Sequence, residues 1–173
     1  LQAESMAAFV TALPALGLSG FSVTRPYKGE ILAHLESVDP LAAEAGSVNT
    51  VVAQAGRLVG LSTDGDGFLF PLRRRIDPTG RVVAIVGAGG AARAAAFALV
   101  REGARVTVLA RRPAQAAEVA SAAGCASAGL EALPGLAWDV LVNATPLGSG
   151  AFPGQSPVPS GDLAPPGDRA VDV

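Results

Sequence analysis

The chain has 173 residues, half of them hydrophobic and 16% charged, with a formal net charge of −2. That composition supplies a sizeable core and excludes a disordered chain, while the charge balance lacks the basic footprint of a nucleic-acid binder. No apolar run reaches membrane-spanning length, and a lone Cys125 excludes an internal disulfide, makes a poor metal ligand and fits a reducing, cytoplasmic setting.

The chain opens on Leu1 rather than Met and stops at Val173 inside an apolar strand pattern, so it is expected to be a piece cut at both ends. Met6, Phe9, Val10 and Leu13 recur at helical spacing and predict an amphipathic helix that ends or kinks near Pro14. Phe21 to Thr24 has strand character and stops at Arg25-Pro26, the proline suiting the first turn of a new helix. Lys28 is therefore expected in that first turn, with Ile31, Leu32 and Leu35 as the apolar face and His34 in solvent. Asp39-Pro40 reads as a cap and first position of an Ala-rich helix that Gly46 ends. Val48 to Ala53 and Arg57 to Leu61 read as a hairpin turning at Gln54-Ala55-Gly56. Thr63 to Gly67 reads as a turn bearing the carboxylates Asp64 and Asp66, and Phe68 to Arg75 as a helix despite Pro71. Asp77-Pro78-Thr79-Gly80 is the linker, which places the domain boundary between residues 77 and 78.

Val82 to Ala92 organises the rest. A β-branched run meets a glycine cluster and then the Ala-rich segment Ala91 to Glu102, the pattern of strand, tight turn and helix. Gly87 permits the turn, Gly89 has no side chain to hold a pyrophosphate away, and Ala92 lets the helix pack on the strand. The backbone N–H groups of Gly89, Gly90 and Ala91 then face the anion. Arg105 to Ala110 is a second strand, followed by Arg111-Arg112-Pro113 and a helix to about Ala122. Trp138 to Val142 is a further strand, capped by Asn143 to Gly148. Ser149 to Gly167 is long for a structureless connection, and Ala170 to Val173 begins a last strand. The alternation implies an α/β fold with a parallel sheet and a ligand crevice at the carboxyl ends of its strands.

An NAD-type site would carry an acid about 20 residues after the glycine loop. Ala110-Arg111-Arg112 stands there instead, which favours NADP, with Arg111 and Arg112 gripping a 2′-phosphate; solvated arginines ahead of a helix are the alternative. Lys28 and Asp64 could serve carbonyl reduction, the ammonium protonating an alkoxide as hydride arrives and the carboxylate pairing with it. From spacing alone they could equally be solvated loop residues, and Asp66 is a competing carboxylate. Thr24, Asn49 and Thr145 suit a polyhydroxylated ligand but are also ordinary turn residues.

Gly20 to Lys28 (GFSVTRPYK), Ala45 to Thr50 (AGSVNT), Ser62 to Phe68 (STDGDGF), Gly87 to Ala91 (GAGGA) and Asn143 to Gly148 (NATPLG) resemble the shikimate dehydrogenase family in order and spacing. The resemblance implies two α/β domains, both incomplete: a shikimate-binding domain over residues 1–77 and a Rossmann-like NADP-binding domain over 78–173. It implies NADP-dependent, reversible reduction of 3-dehydroshikimate to shikimate in aromatic amino-acid biosynthesis, with or without fusion to another domain of that pathway. Quinate dehydrogenase, or a non-catalytic nucleotide-binding module, is the alternative. Lys28 and Asp64 carry over as the catalytic pair and Thr24 and Asn49 as substrate contacts. Gly87, Ala88, Gly89, Gly90 and Ala91 carry over as the pyrophosphate loop, Arg111 as the 2′-phosphate contact with Arg112 beside it, and Thr145 as lining the nicotinamide side. The sequence departs from the family's pattern at Ser22, Tyr27, Ala110, Arg112 and Gln115, where the family has asparagine, histidine, asparagine, threonine and a second clamp arginine. The family's N-terminal strand with paired serines, and a late tyrosine and glutamine, have no counterpart in these residues.

Overall fold

The computed structural model describes residues 5–158 and 170–172. They form two compact units that divide between Thr63 and Asp64.

The first unit opens with α1 (Met6–Leu16), where the Ser5 hydroxyl accepts from Ala8 N at 3.1 Å and Gly17 ends the helix in the left-handed region at φ 61°. The helix runs past Pro14, which forgoes its own N–H bond, and ends at Leu16. Four strands follow: β1 (Gly20–Ser22), β2 (Ser37–Val38), β3 (Thr50–Gln54) and β4 (Arg57–Leu61), in the sheet order β1-β3-β4-β2. β1 with β3 and β3 with β4 are antiparallel, whereas β2 joins β4 in parallel. The expected hairpin forms, but Gln54 belongs to β3, so the turn is the two residues Ala55 and Gly56, at φ 50° and 76°. α2 (Pro40–Ala45) has the predicted ends, with Asp39 accepting from Leu41 N and Gly46 in the left-handed region.

The helix expected after Pro26 is instead a turn followed by a five-residue 3-10 helix, Glu30–His34, with Lys28 in the turn before it. Gly29 supplies no side-chain cap and Leu35 is already extended, so there is no length for an α-helix. Ile31 is fully buried, and His34, expected in solvent, is half-buried. Met6, Val23, Ile31, Ala42, Val48 and Val51 form the core.

The second unit begins with α3 (Asp64–Arg73), so the stretch expected as a turn at Asp64–Gly67 is the start of a helix. Its acids have a local reason, since carboxylates in a first turn complement the unpaired N–H groups. The remaining elements are β5 (Val82–Val86), α4 (Gly90–Arg101), β6 (Arg105–Ala110), α5 (Pro113–Ala123), β7 (Ala126–Gly129), β8 (Val140–Asn143) and β9 (Ala170–Asp172). The five strands are all parallel, in the order β7-β6-β5-β8-β9. One face packs on α3, α4 and α5 through residues such as Leu72, Ile85, Leu99 and Val119, and the other covers Leu133, Trp138 and Leu141.

β8 starts two residues later than expected because Asp139 is tied across to Val82, its backbone N–H donating to Val82 O and its carboxylate accepting from Val82 N, both at 2.8 Å. The unit boundary precedes the Asp77–Gly80 segment because α3 sinks Phe68, Leu69 and Leu72 into the second unit's core. Gly65 fits against Ala94 and Ala98 of α4, where an added Cβ would stand 3.4 Å from the Ala98 methyl. Of the long connection expected at residues 149–167, positions 159–167 lie outside the described residues. No helix among the described residues is long and apolar enough to cross a membrane.

Candidate active site

In the first unit, sheet register gathers the candidate substrate residues. β1 pairs with β3 so that Ser22 faces Thr50, and Thr50 faces Leu61 of β4. The end of β1, the start of β3 and the exit of β4 therefore share one end of the sheet, which places Thr24, Asn49 and Thr63 there. Val23 N donates to Asn49 O at 2.8 Å, Tyr27 N to Thr24 O at 2.9 Å and Val48 N to Lys28 O at 2.9 Å. The turn that carries Lys28 is thus bonded onto the segment that carries Asn49. Thr24 is exposed and Lys28 half-buried, so both remain accessible to a ligand.

The Asn49 side chain is itself a staple. Its Oδ1 accepts from Thr63 N at 3.1 Å and from the Thr50 hydroxyl at 2.9 Å, while its Nδ2 donates to Thr63 Oγ1 at 3.0 Å. Thr63 is a positioning residue that the sequence reading left as part of a turn; its place directly before Asp64 was the available signal. Asp64 opens α3 and belongs to the second unit, with Asp66 in the same first turn.

The second unit holds the glycine loop at the carboxyl ends of its strands. Gly87 has φ 123°, and a Cβ there would lie 2.7 Å from the Ala144 carbonyl oxygen, so only glycine fits. Gly87 N donates to Leu109 O, and Ala144 N to Val86 O, each at 2.8 Å, which ties the loop to the strands on either side. Gly89 is the N-cap of α4 and makes no side-chain capping bond. A Cβ added at Gly89 or Gly90 would meet nothing within 4 Å. The first N–H groups of α4 therefore open onto space with no side chain over them, a fit for a pyrophosphate.

β5 and β6 pair with Val86 opposite Leu109, so Arg111 stands just beyond the strand tip beside the loop, and Arg112 caps α5. Both arginines are exposed. On the other side, Asn143 shapes the segment after β8. Its Oδ1 accepts from Thr145 N at 3.0 Å and from the Thr145 hydroxyl at 2.7 Å, and its Nδ2 donates to Leu147 O at 2.9 Å. Thr145 is thereby held against the loop, its methyl 3.4 Å from where a Gly87 Cβ would stand. The sequence reading gave Asn143 no role of its own; an asparagine two residues before a hydroxyl residue in a Pro-Gly segment is the pattern of such a side-chain turn.

Comparison with known proteins gives two family models. Residues 1–51 match the shikimate dehydrogenase substrate binding domain, and residues 75–145 match a putative NAD(P)-binding domain. The shikimate dehydrogenase (NADP(+)) of Moorella thermoacetica is 42% identical over 182 residues, covering 97% of this chain and 61% of that protein. Among solved structures, shikimate 5-dehydrogenase from Thermus thermophilus, in complex with NADP(H) and shikimate, superposes with a TM-score of 0.87 at 37% identity, over 99% of this chain and 64% of that one. Quinate dehydrogenase from Corynebacterium glutamicum, in complex with NAD, gives 0.85 at 30% identity, over 94% and 61%. The chain spans about three-fifths of the length of the relatives it matches.

Proposed function

The chain belongs to the shikimate dehydrogenase family, and on that membership we propose that it serves NADP-dependent, reversible reduction of 3-dehydroshikimate to shikimate, in the cytoplasm. The carrying observation is the gathering of Thr24, Lys28 and Asn49 at one end of the first sheet by backbone hydrogen bonds. In this reading residues 1–77 form the substrate-binding portion and 78–173 the NADP-binding portion. α3 links them in sequence while packing with the second.

The cofactor, when bound, supplies or accepts the hydride. With Gly87 forming the turn of the loop, the backbone N–H groups of Ala88, Gly89, Gly90 and Ala91 would hold its pyrophosphate, and Arg111 and Arg112 would bind its 2′-phosphate through charge-assisted bonds. Thr145 lines the nicotinamide side. Thr24 and Asn49 orient the substrate hydroxyls, and the Lys28 ammonium donates to the carbonyl oxygen, stabilising the developing alkoxide and then protonating it. Asp64 is carried over from the family as the second member of the catalytic pair.

Steady-state rates with shikimate and quinate, each with NADP+ and NAD+, test the assignment. The expected result is the highest kcat/KM for shikimate with NADP+. A preference for quinate assigns the chain to the other acid, and an absence of turnover in all four combinations overturns the catalytic reading.

A further inference from the structure

Building on the NADP reading above, we propose that Arg93 joins Arg111 and Arg112 in binding the cofactor's 2′-phosphate. The first turn of a helix is where a cation is least favoured, because the unpaired N–H groups there already carry positive charge. α4 nevertheless places Arg93 in that turn, with no acid alongside it. The Arg93 Nε is buried and has no hydrogen-bond acceptor among the described residues. Its guanidinium carbon lies 5.8 Å from the centre of the Phe97 ring, which holds the side chain along the helix. A buried donor without an acceptor and a cation at a helix start are both unfavourable, and an anion bound at the guanidinium would offset the charge.

The flank of α4 on which Arg93 stands selects the part of the cofactor it meets. Ala92, Ala95, Ala96 and Leu99 are buried in the core. Gly65 of α3 fits against Ala94 and Ala98 on one flank. At about 3.6 residues per turn, Arg93, Phe97 and Val100 fall on the opposite flank, toward α5, which packs on α4. Val100 confirms the side, since it lines a cleft with Gly124 and Cys125 at the far end of α5.

β5 and β6 are parallel, so α4 and α5 begin at the same end of the sheet, where Arg111 and Arg112 stand beyond the tip of β6. A pyrophosphate held at the helix start would leave the adenosine end of the cofactor toward β6, whose tip carries Arg111. No acid occupies the first turn of α5, and Gln115 there is neutral. The three guanidiniums suit a dianionic phosphate ester.

Binding of NADPH, NADH and adenosine 2′,5′-bisphosphate to the full chain, measured by calorimetry, tests this. Arg93→Met keeps the aliphatic stem on Phe97 and removes the charge and the donors. It is expected to weaken NADPH and the bisphosphate about 10- to 100-fold, the range for a lost charge-assisted bond, and to leave NADH within about twofold. Equal losses for NADPH and NADH, or no loss for either, overturn the proposal. Arg111→Ala in the same titrations separates the two readings. If it narrows the NADPH preference while Arg93→Met does not, only the role of Arg93 fails; if it weakens both cofactors equally, the 2′-phosphate reading itself fails. Should Arg93→Met not fold, Arg93→Gln is read by the same ratios.

Discussion

At Lys28 the backbone is fixed before the side chain acts. Its carbonyl accepts from Val48 N, and the turn is closed by the bond from Tyr27 N to Thr24 O. Truncating the side chain leaves those bonds in place, so Lys28→Ala is expected to lower kcat about 10²- to 10⁴-fold, the contribution of a positioned general acid, without moving the thermal midpoint. A near-normal kcat removes lysine from proton transfer, and a large drop in midpoint makes its role structural. Residue types at strand ends were legible from the sequence: Thr24, Asn49 and the glycine loop stand at strand ends as their patterns suggest, whereas Lys28 lies in a turn and not in the first turn of the helix expected there. What fixes them was not. The Asn49–Thr63 staple joins residues 14 apart, across the hairpin, and depends on a register that no local pattern encodes. The unpaired Nε of Arg93 was equally invisible, because in the sequence that arginine is one residue of an Ala-rich helix and its burial arises only when α4 packs.

α3 is a weak helix by composition, with Gly65 and Gly67 in its first turn and Pro71 inside. Two things hold it: the burial of Phe68, Leu69 and Leu72, and a clamp from its last residue to the end of α4. Arg73 Nε donates to Glu102 Oε2 at 2.9 Å, and its Nη2 donates to the other carboxylate oxygen. The hydrogen bond from Arg73 lowers the Glu102 carboxyl below its ordinary range. A carboxyl depressed in the folded state stabilises the fold above its unfolded value, and that contribution is lost as pH falls through the folded value. Glu102→Gln should therefore lower the thermal midpoint slightly at neutral pH, the pair being partly exposed, and flatten the decline toward acidic pH. Identical midpoints and slopes in the two proteins mean that the clamp contributes nothing. Elements with a strong period, β5, α4, β6 and α5, were legible along their whole length. β2 has only two residues, and β7, Ala-Ser-Ala-Gly, has no β-branched residue, so each exists because a neighbouring strand edge accepts it.

Each of the three core clusters draws on one unit alone: Met6 to Leu58 in the first, Phe68 to Ala144 and Val82 to Val158 in the second. The two units thus have separate hydrophobic reasons to fold, and a ligand held wholly by one stabilises that one by mass action. Trp138 is the chain's only tryptophan and is 5% exposed in the second unit's core, so its emission reports that unit, while far-ultraviolet dichroism reports both. The glycine loop, Arg93, Arg111 and Arg112 all belong to the second unit as well. NADP+ at about 100 times its dissociation constant should add about 2.7 kcal/mol to that unit. The urea midpoint read at Trp138 is then expected to rise, while the dichroism curve splits into an early phase for the first unit and a late one coincident with fluorescence. Arg111→Ala should shrink the shift. A single transition by both probes, moved as a whole by NADP+, would show that the chain unfolds as one cooperative body and that the division between Thr63 and Asp64 carries no separate stability.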